Sequence, residues 1–152
     1  MSLREQFTDE LKDAMRAKDA PRTSTLRMIL ARLKDTDIAA RPKGVTAIPD
    51  DDIIGMLRGM VKSRRESVVL YEQGNRPELA AKEMAEIGIV EGFLPQEMGD
   101  AALAAEVEAA VASTGAASQK EMGKVMAALK AKHGAGLDMA RAGALVRARL
   151  NQ

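Results

Sequence analysis

Apolar residues recur at every third or fourth position through most of this chain, which is the spacing of one face of an α-helix. Up to residue 94 the pattern is interrupted by proline or glycine at three places, namely 19–21, 41–49 and 74–77. Four helices are therefore predicted in this half. They cover about 3–18, a segment that includes the apolar residues between 26 and 38, a segment that starts at Asp50, and about 77–94.

The pattern changes after Pro95, where alanine becomes frequent and the predicted helices become shorter. They cover about 101–113, 118–132 and 138–150. Ser118 and Glu121 have the spacing of a capping box, in which each side chain accepts a hydrogen bond from the other residue's backbone N–H, and Asp138 is the predicted cap of the last helix. The sequence thus predicts an all-α chain with an N-terminal helical bundle over 1–94 and a smaller three-helix domain over 95–152.

Composition favours helix over strand and excludes thiol chemistry. The chain contains ten methionines, two phenylalanines, one tyrosine and no tryptophan, so cores filled by flexible thioethers are expected. Cysteine is absent, which excludes disulfides and cysteine-bound metals and is typical of a reducing compartment. No apolar run approaches the roughly 18 residues of a membrane span or the core of a signal peptide. A cytoplasmic location is therefore expected.

No arrangement of residues predicts a catalytic or metal site. His133 is the single histidine and lies beside a glycine turn, where a solvent-facing position near a helix end is expected. The aspartates at 50–52 are explained by the electrostatics of a helix start, although such a cluster can also hold Mg²⁺. Ser24 and Ser67 have no histidine nearby in the sequence to serve as a base. We therefore expect no catalytic residue, no metal and no cofactor.

Positive charge is concentrated in the tail, although the net charge of the chain is only +1. From residue 119 onward seven Lys and Arg stand against two Asp and Glu. The candidate phosphate contacts among them are Lys124, Lys130, Lys132, Arg141, Arg147 and Arg149. Cations near helix C-termini are also favoured by the helix dipole, which explains part of the set without any ligand. Because aromatic side chains for stacking bases are missing, RNA contact through backbone and shape is the form predicted.

A second basic stripe and one glycine are further candidates. Arg58, Lys62 and Arg65 have the spacing of one stripe on the third helix, which is either a solvated face or an anion-binding surface. Gly123 lies inside a predicted helix, where glycine costs roughly 1 kcal/mol relative to alanine. Close packing of a neighbouring helix is the expected reason, and close approach of a ligand backbone is the alternative.

Several segments together resemble the YqeY-like family, and the resemblance covers nearly the whole chain. The segments are Asp19-Ala-Pro-Arg-Thr-Ser-Thr-Leu-Arg-Met-Ile, Arg64-Arg-Glu-Ser with Tyr71-Glu, Ile87 through Phe93-Leu-Pro-Gln, Gly123-Lys-Val-Met, Leu129-Lys, Gly136, Asp138 and Leu145-Val-Arg-Ala-Arg-Leu. The resemblance implies an all-helical bundle joined to a smaller helical domain.

The smaller domain is similar to the C-terminal tail of the B subunit of the tRNA-dependent amidotransferase, which helps to hold the tRNA. The resemblance implies tRNA contact at the matching positions, which are Gly123, Lys124, Val125, Met126, Lys130 and the end from Arg147 to Arg149. Family members often have a basic residue in the loop between the last two helices, but the loop 134–138 has none here. Contact through that loop is therefore not expected, and Lys132 and Arg141 beside it are the candidates.

The sequence thus predicts a tRNA-binding accessory module related to that subunit, without an active site of its own. A helical adaptor that docks an amidotransferase subunit or a tRNA synthetase through its Met-rich helices is the alternative. The resemblance also implies the family's label of carbon–nitrogen ligase with glutamine as amide donor, although the chain lacks the domains that perform that reaction. Neither a membrane nor DNA is expected as a partner.

Overall fold

The computed structural model describes residues 1–96 and 98–151, and within them the chain forms seven α-helices and no strand. The helices are α1 (Leu3–Arg16), α2 (Ala20–Ala40), α3 (Asp50–Gln73), α4 (Pro77–Glu91), α5 (Asp100–Thr114), α6 (Met122–His133) and α7 (Met139–Leu150). Each predicted helix is present, so the predicted all-α class is confirmed. The fourth helix ends earlier than expected, because Gly92, Phe93 and Leu94 form a turn after Glu91.

The chain divides into two compact units, Met1–Leu94 and Pro95–Gln152. The core of the first unit is drawn from α1 to α4 and the turns that flank them. Its buried side chains are Leu3, Phe7, Ala14, Leu26, Ile29, Leu33, Ile48, Ile53, Leu57, Met60, Val90 and Phe93. Phe7 and Phe93 meet edge to face with ring centroids 4.9 Å apart, which fixes α1 against the turn after α4.

The second unit packs α5, α6 and α7 around buried aliphatic side chains, with Met98, Met122, Met126 and Met139 partly buried against them. Its buried residues are Leu103, Val107, Ala110, Val111, Val125, Leu129, Leu137, Ala142, Val146 and Leu150. The expectation of methionine-filled cores is wrong, because Met60 is the one methionine among the buried core residues described. Branched aliphatic side chains occupy the interior of both units, and most methionines lie at its edge or on the surface.

Polar residues at helix starts follow the predictions in part. Asp138 caps α7 as predicted and accepts hydrogen bonds from the N–H groups of Ala140 and Arg141. Ser118 makes no cap hydrogen bond, since a short 3₁₀ turn at 119–121 precedes α6 and displaces its start to Met122. A capping box does form at the start of α1, between Ser2 and Glu5.

Arg4 and Asp37 clamp three segments of the first unit together. The guanidinium of Arg4 donates to both carboxylate oxygens of Asp37, at 2.8 and 2.7 Å, and to the carbonyl of Ile48 at 3.0 Å. The N–H of Ile48 in turn donates to Asp37 at 2.9 Å. The Arg4 side chain and the Ile48 N–H hold the pKa of Asp37 down, at about 2 instead of 3.8. The clamp joins α1, α2 and the loop before α3.

We expect Asp37→Asn to lower the free energy of unfolding at pH 7 by about 1–3 kcal/mol, because Arg4 loses a charged partner. Since the side chain of Arg4 is 33% exposed, solvent screening keeps the loss towards the lower end of that range. The contribution of Asp37 is complete above pH 3.8 and is lost as the pH falls towards 2, so the two proteins should converge in acid.

Urea unfolding of both proteins between pH 2 and pH 7 measures this difference. Asp13→Asn is the matched control, because Asp13 forms an exposed pair with Arg16 on α1, and its effect should stay within about 0.5 kcal/mol. Parallel stability curves for wild type and Asp37→Asn across this range would contradict the account of the clamp.

Candidate functional site

Three of the six predicted tail cations pair with carboxylates of α5, two of them near its middle. Lys132 on α6 lies 3.0 Å from Glu106, and Arg149 on α7 lies 2.6 Å from Glu108. His133 also reaches Glu106, at 2.7 Å, and its side chain is only 14% exposed, so the predicted solvent-facing position is wrong. Hydrogen bonds from Lys132 and His133 hold the pKa of Glu106 below its ordinary value. These cations therefore tie α6 and α7 to α5.

Arg141 has a similar structural position. Its guanidinium lies 2.6 Å from the carboxylate of Asp100 and donates to the carbonyl of Met98 at 2.9 Å. Asp100 is the first residue of α5, so Arg141 fixes α7 against the start of that helix. Of the predicted phosphate contacts, Lys132, Arg141 and Arg149 are thus already engaged inside the second unit.

The other three predicted contacts face solvent. Lys124, Lys130 and Arg147 are exposed, and none has an ion pair or a side-chain hydrogen bond with the part of the chain that the structure describes. Lys124 and Lys130 lie on α6, and Arg147 lies in the last turn of α7. These three side chains can meet an external anion without first breaking an internal contact.

The positions of these cations follow from how α6 meets α7. A Cβ placed on Gly143 would lie 3.7 Å from the methyl of Met122 and 3.8 Å from that of Met126, so these residues mark the line of contact. Lys130 follows Met126 by one helical turn, and Arg147 follows Gly143 by one turn. Both cations therefore border the contact. Because a short loop joins the two helices, we expect them to run antiparallel, with Lys130 and Arg147 near opposite ends.

Gly123 does not have the expected role of a close-packing glycine. It is exposed, and a Cβ placed on it would have no atom within 4 Å among the residues described. Gly123 lies two turns before Lys130 and so shares a stripe of α6 with it. We call the surface formed by Gly123, Lys130 and Arg147 the basic seam. The alternative interpretation, close approach of a ligand backbone, is compatible with this open position.

The predicted second stripe on α3 does not form a set of three free cations. Arg65 lies 2.5 Å from Glu91, Arg58 is half-buried, and Lys62 is exposed. The neighbouring Arg64, which was not part of the stripe, points inward and lies 3.2 Å from Glu86 on α4. The arginines at 64 and 65 therefore join α3 to α4 or to its end, and the stripe offers less free charge than the seam.

The candidate catalytic groups are not brought together in the residues that the structure describes. Ser67 donates its hydroxyl proton to the carbonyl of Ser63 at 3.2 Å. No three His, Asp or Glu side chains within 1–96 and 98–151 are grouped as metal ligands. Asp50 accepts the N–H of Leu3 at 3.3 Å and so links the start of α3 to α1. None of the described helices combines the length and apolarity that a bilayer span requires.

Comparison of the sequence with known proteins identifies one matching family. A sequence model described as "Yqey-like protein" matches residues 4–150. The chain is 31% identical over 85 residues to "Altered inheritance of mitochondria protein 41, mitochondrial" of Vanderwaltozyma polyspora, which is 56% of this chain and 44% of the relative. The protein of the same name from Eremothecium gossypii is 33% identical, over 56% of this chain and 45% of the relative. An uncharacterized protein of Schizosaccharomyces pombe is 28% identical, over 57% of this chain and 68% of the relative.

The alignments span less than half the length of the first two of these relatives. Their names correct the cytoplasmic location expected above, because these relatives are named as mitochondrial proteins. A chain without cysteine and without a long apolar run is compatible with more than one compartment, so these two features do not fix the location.

Proposed function

This chain belongs to the Yqey-like protein family, and we propose that it is an RNA-binding module that grips the phosphate backbone of tRNA with α6 and α7. The proposal rests on the observation that some tail cations form internal ion pairs and others do not. Three of them stabilise the second unit, and three others, Lys124, Lys130 and Arg147, stay exposed on two adjacent helices. The proposal gives the chain binding and no reaction of its own.

Charge placement supports a polyanionic ligand for the seam. Lys130 and Arg147 border one contact line, and Lys124 lies in the first turn of α6 beside Gly123. Two acidic side chains in the middle of α5, Glu106 and Glu108, are both bound to cations and so do not compete for the seam. A phosphate backbone is a row of anions and can meet several such cations at once.

The composition of the second unit indicates how RNA would be recognised. Phe7, Tyr71 and Phe93 all lie in the first unit, and the imidazole of His133 on α6 is largely covered beside Glu106. The helices α5, α6 and α7 therefore offer little aromatic surface on which an unpaired base can stack. Gly123 presents helix backbone without a side chain, which permits close approach of a phosphate or ribose. The seam is thus suited to the shape and backbone of folded RNA, and not to base identity.

A titration of the full chain with total tRNA at about 50 and 200 mM salt tests the proposal. If three phosphates are held, the logarithm of the binding constant should fall against the logarithm of salt with a slope of about −2 to −3. That slope corresponds to a loss of affinity of about 15- to 60-fold over this range. A duplex DNA of equal charge is the control and should bind more weakly. Absence of tRNA binding at the lower salt concentration would contradict the proposal.

Replacing Gly123 by alanine separates stability from binding. Because the position is open and lies in the first turn of α6, Gly123→Ala should raise the free energy of unfolding by up to about 1 kcal/mol. The added methyl should at the same time weaken tRNA binding by about threefold or more, a small but measurable free-energy change. Gly59→Ala is the matched control, because Gly59 is also an open helical position but lies on α3. Equal or tighter tRNA binding by Gly123→Ala would remove the glycine from the interface.

A further inference from the structure

A shallow, open groove with a volume of about 680 Å³ runs along the exposed side of α2 in the first unit. Its floor consists of thioethers and small side chains, among them Met15, Ala20, Met28 and Ala31. Met15 is 51% exposed, which is unusual for so apolar a side chain at the end of a helix that packs on its neighbour. The groove lies in the first unit and shares no residue with the basic seam, so its ligand has to be considered separately.

The rim of the groove is positively charged. Lys18 and Arg27 line it, both are exposed, and neither has an ion pair within the described residues. No acidic side chain belongs to the described lining. The groove therefore combines an apolar floor with a cationic rim that has no acidic partner in the lining. A phosphate would pair with the rim and leave the floor uncovered, whereas an acidic amphipathic segment would cover the floor and pair with the rim.

The dimensions fit a short helix. The lining runs along α2 from Ala20 to Ala31, which is roughly 16 Å at 1.5 Å per residue, or three helical turns. Alanine and serine at these positions let a second helix come close, and methionine adapts its shape to the apolar side chains that it meets. A helix that lies in a groove places side chains three and four residues apart on the floor.

We propose that this groove is a docking site for a partner protein's acidic amphipathic helix about three turns long. Its apolar face packs on Met15 and Met28, and its flanking carboxylates pair with Lys18 and Arg27. This binding goes beyond the contact with RNA, because it uses another unit of the chain and an apolar surface that RNA does not need.

Methyl NMR of the full chain with ¹³C-labelled methionine tests the docking site directly. The probe is a three-turn helical peptide with leucines three and four residues apart and glutamates on both flanks. Saturable shifts are expected at the methyls of Met15 and Met28, while Met122 and Met126 of the second unit stay unchanged. The same peptide with lysine in place of each glutamate should bind at least about tenfold more weakly, because like charges then meet at the rim.

Two pairs of variants locate the binding. Arg27→Glu should weaken the acidic peptide by about three- to tenfold, whereas Arg32→Glu, an equal charge change at an exposed position of α2 outside the groove, should not. Ala31→Trp should block the groove, whereas Ala39→Trp adds the same bulk at another exposed position of α2.

Three kinds of result would overturn the docking site. The first is a lack of selective binding, seen either as no shifts at Met15 and Met28 with the acidic peptide or as equal affinity for the lysine peptide. The second is a shift of the same two methyls on addition of tRNA, which would assign the groove to RNA. The third is a dependence of these methyl signals on protein concentration alone, which would assign it to a second copy of this chain. None of these outcomes alters the tRNA titration, so the two proposals fail separately.

Discussion

Replacing Lys130 and Arg147 together by glutamine is expected to lower the affinity for tRNA by about 10- to 100-fold at moderate salt. Each cation that no longer neutralises a phosphate also removes roughly one unit from the salt dependence, so the slope should become less steep by about two. Both side chains are exposed and have no internal ion pair with described residues, so the fold should be unaffected. Fluorescence anisotropy with labelled tRNA and thermal unfolding followed by circular dichroism measure the two effects.

The matched control removes the same charge from the same two helices. Lys132 lies on α6 and Arg149 on α7, as Lys130 and Arg147 do, but their side chains pair with Glu106 and Glu108. The double variant Lys132→Gln, Arg149→Gln should therefore destabilise the second unit slightly and reduce tRNA affinity by less than about threefold, through general electrostatics. Equal losses of affinity in the two double variants would show that net charge, and not the basic seam, carries the binding.

Truncation of the buried phenylalanine should have the largest effect on stability. Phe7 is fully buried and stacks edge to face on Phe93, so Phe7→Ala removes a ring and leaves a cavity. A loss of about 3–5 kcal/mol is expected in the stability of the first unit. Tyr71 is the single tyrosine in a chain without tryptophan and lies in this unit, so its fluorescence follows the unfolding of the first unit.

Leu129→Ala is the counterpart in the second unit, where Leu129 is 1% exposed and a loss of about 2–5 kcal/mol is expected. Circular dichroism follows both units, since both are helical. The two cores share no residue, so Phe7→Ala should shift the tyrosine transition, and tRNA binding by the second unit should persist through that transition. Loss of tRNA binding in step with tyrosine unfolding would contradict this separation.

The helices could be predicted because periodicity reports directly on which face of a helix is buried. Helix caps are harder to predict, since a cap forms only if the backbone of one residue has the required conformation. Ser2 and Glu5 have the same spacing as Ser118 and Glu121, yet the box forms only at the first pair. At Ser118 the chain enters a 3₁₀ turn, so the amide groups that a capping box satisfies are not in place.

The cations of the candidate site could be predicted from the sequence. Which of them form internal ion pairs and which stay exposed could not. Spacing identified six cations in the tail, and nothing local distinguishes Lys130 from Lys132. Their neighbours across the fold decide, because α5 places Glu106 beside Lys132 and no described carboxylate beside Lys130. A signal was present in the acidic residues of the segment 100–114, whose partners only the tertiary contacts reveal.

Two further corrections have the same origin. The cost of glycine inside a helix predicts helix packing at Gly123, but the contact between α6 and α7 lies at Gly143 and leaves Gly123 open. Methionine content suggested soft cores, whereas Met15 and Met28 line a groove at the surface. In both cases the residue type indicates a special role. Whether the residue faces the interior or the surface is decided by the packing of the other helices.

The most direct test of the central claim is a backbone amide NMR titration of the full chain with purified tRNA at low salt. We predict perturbations concentrated at Gly123, Lys124, Lys130 and Arg147, with smaller ones at Lys132 and Arg149 and none on α3. Perturbations on α3 around Lys62 without any on α6 and α7, or none at all at saturating tRNA, would contradict the assignment of RNA binding to the basic seam.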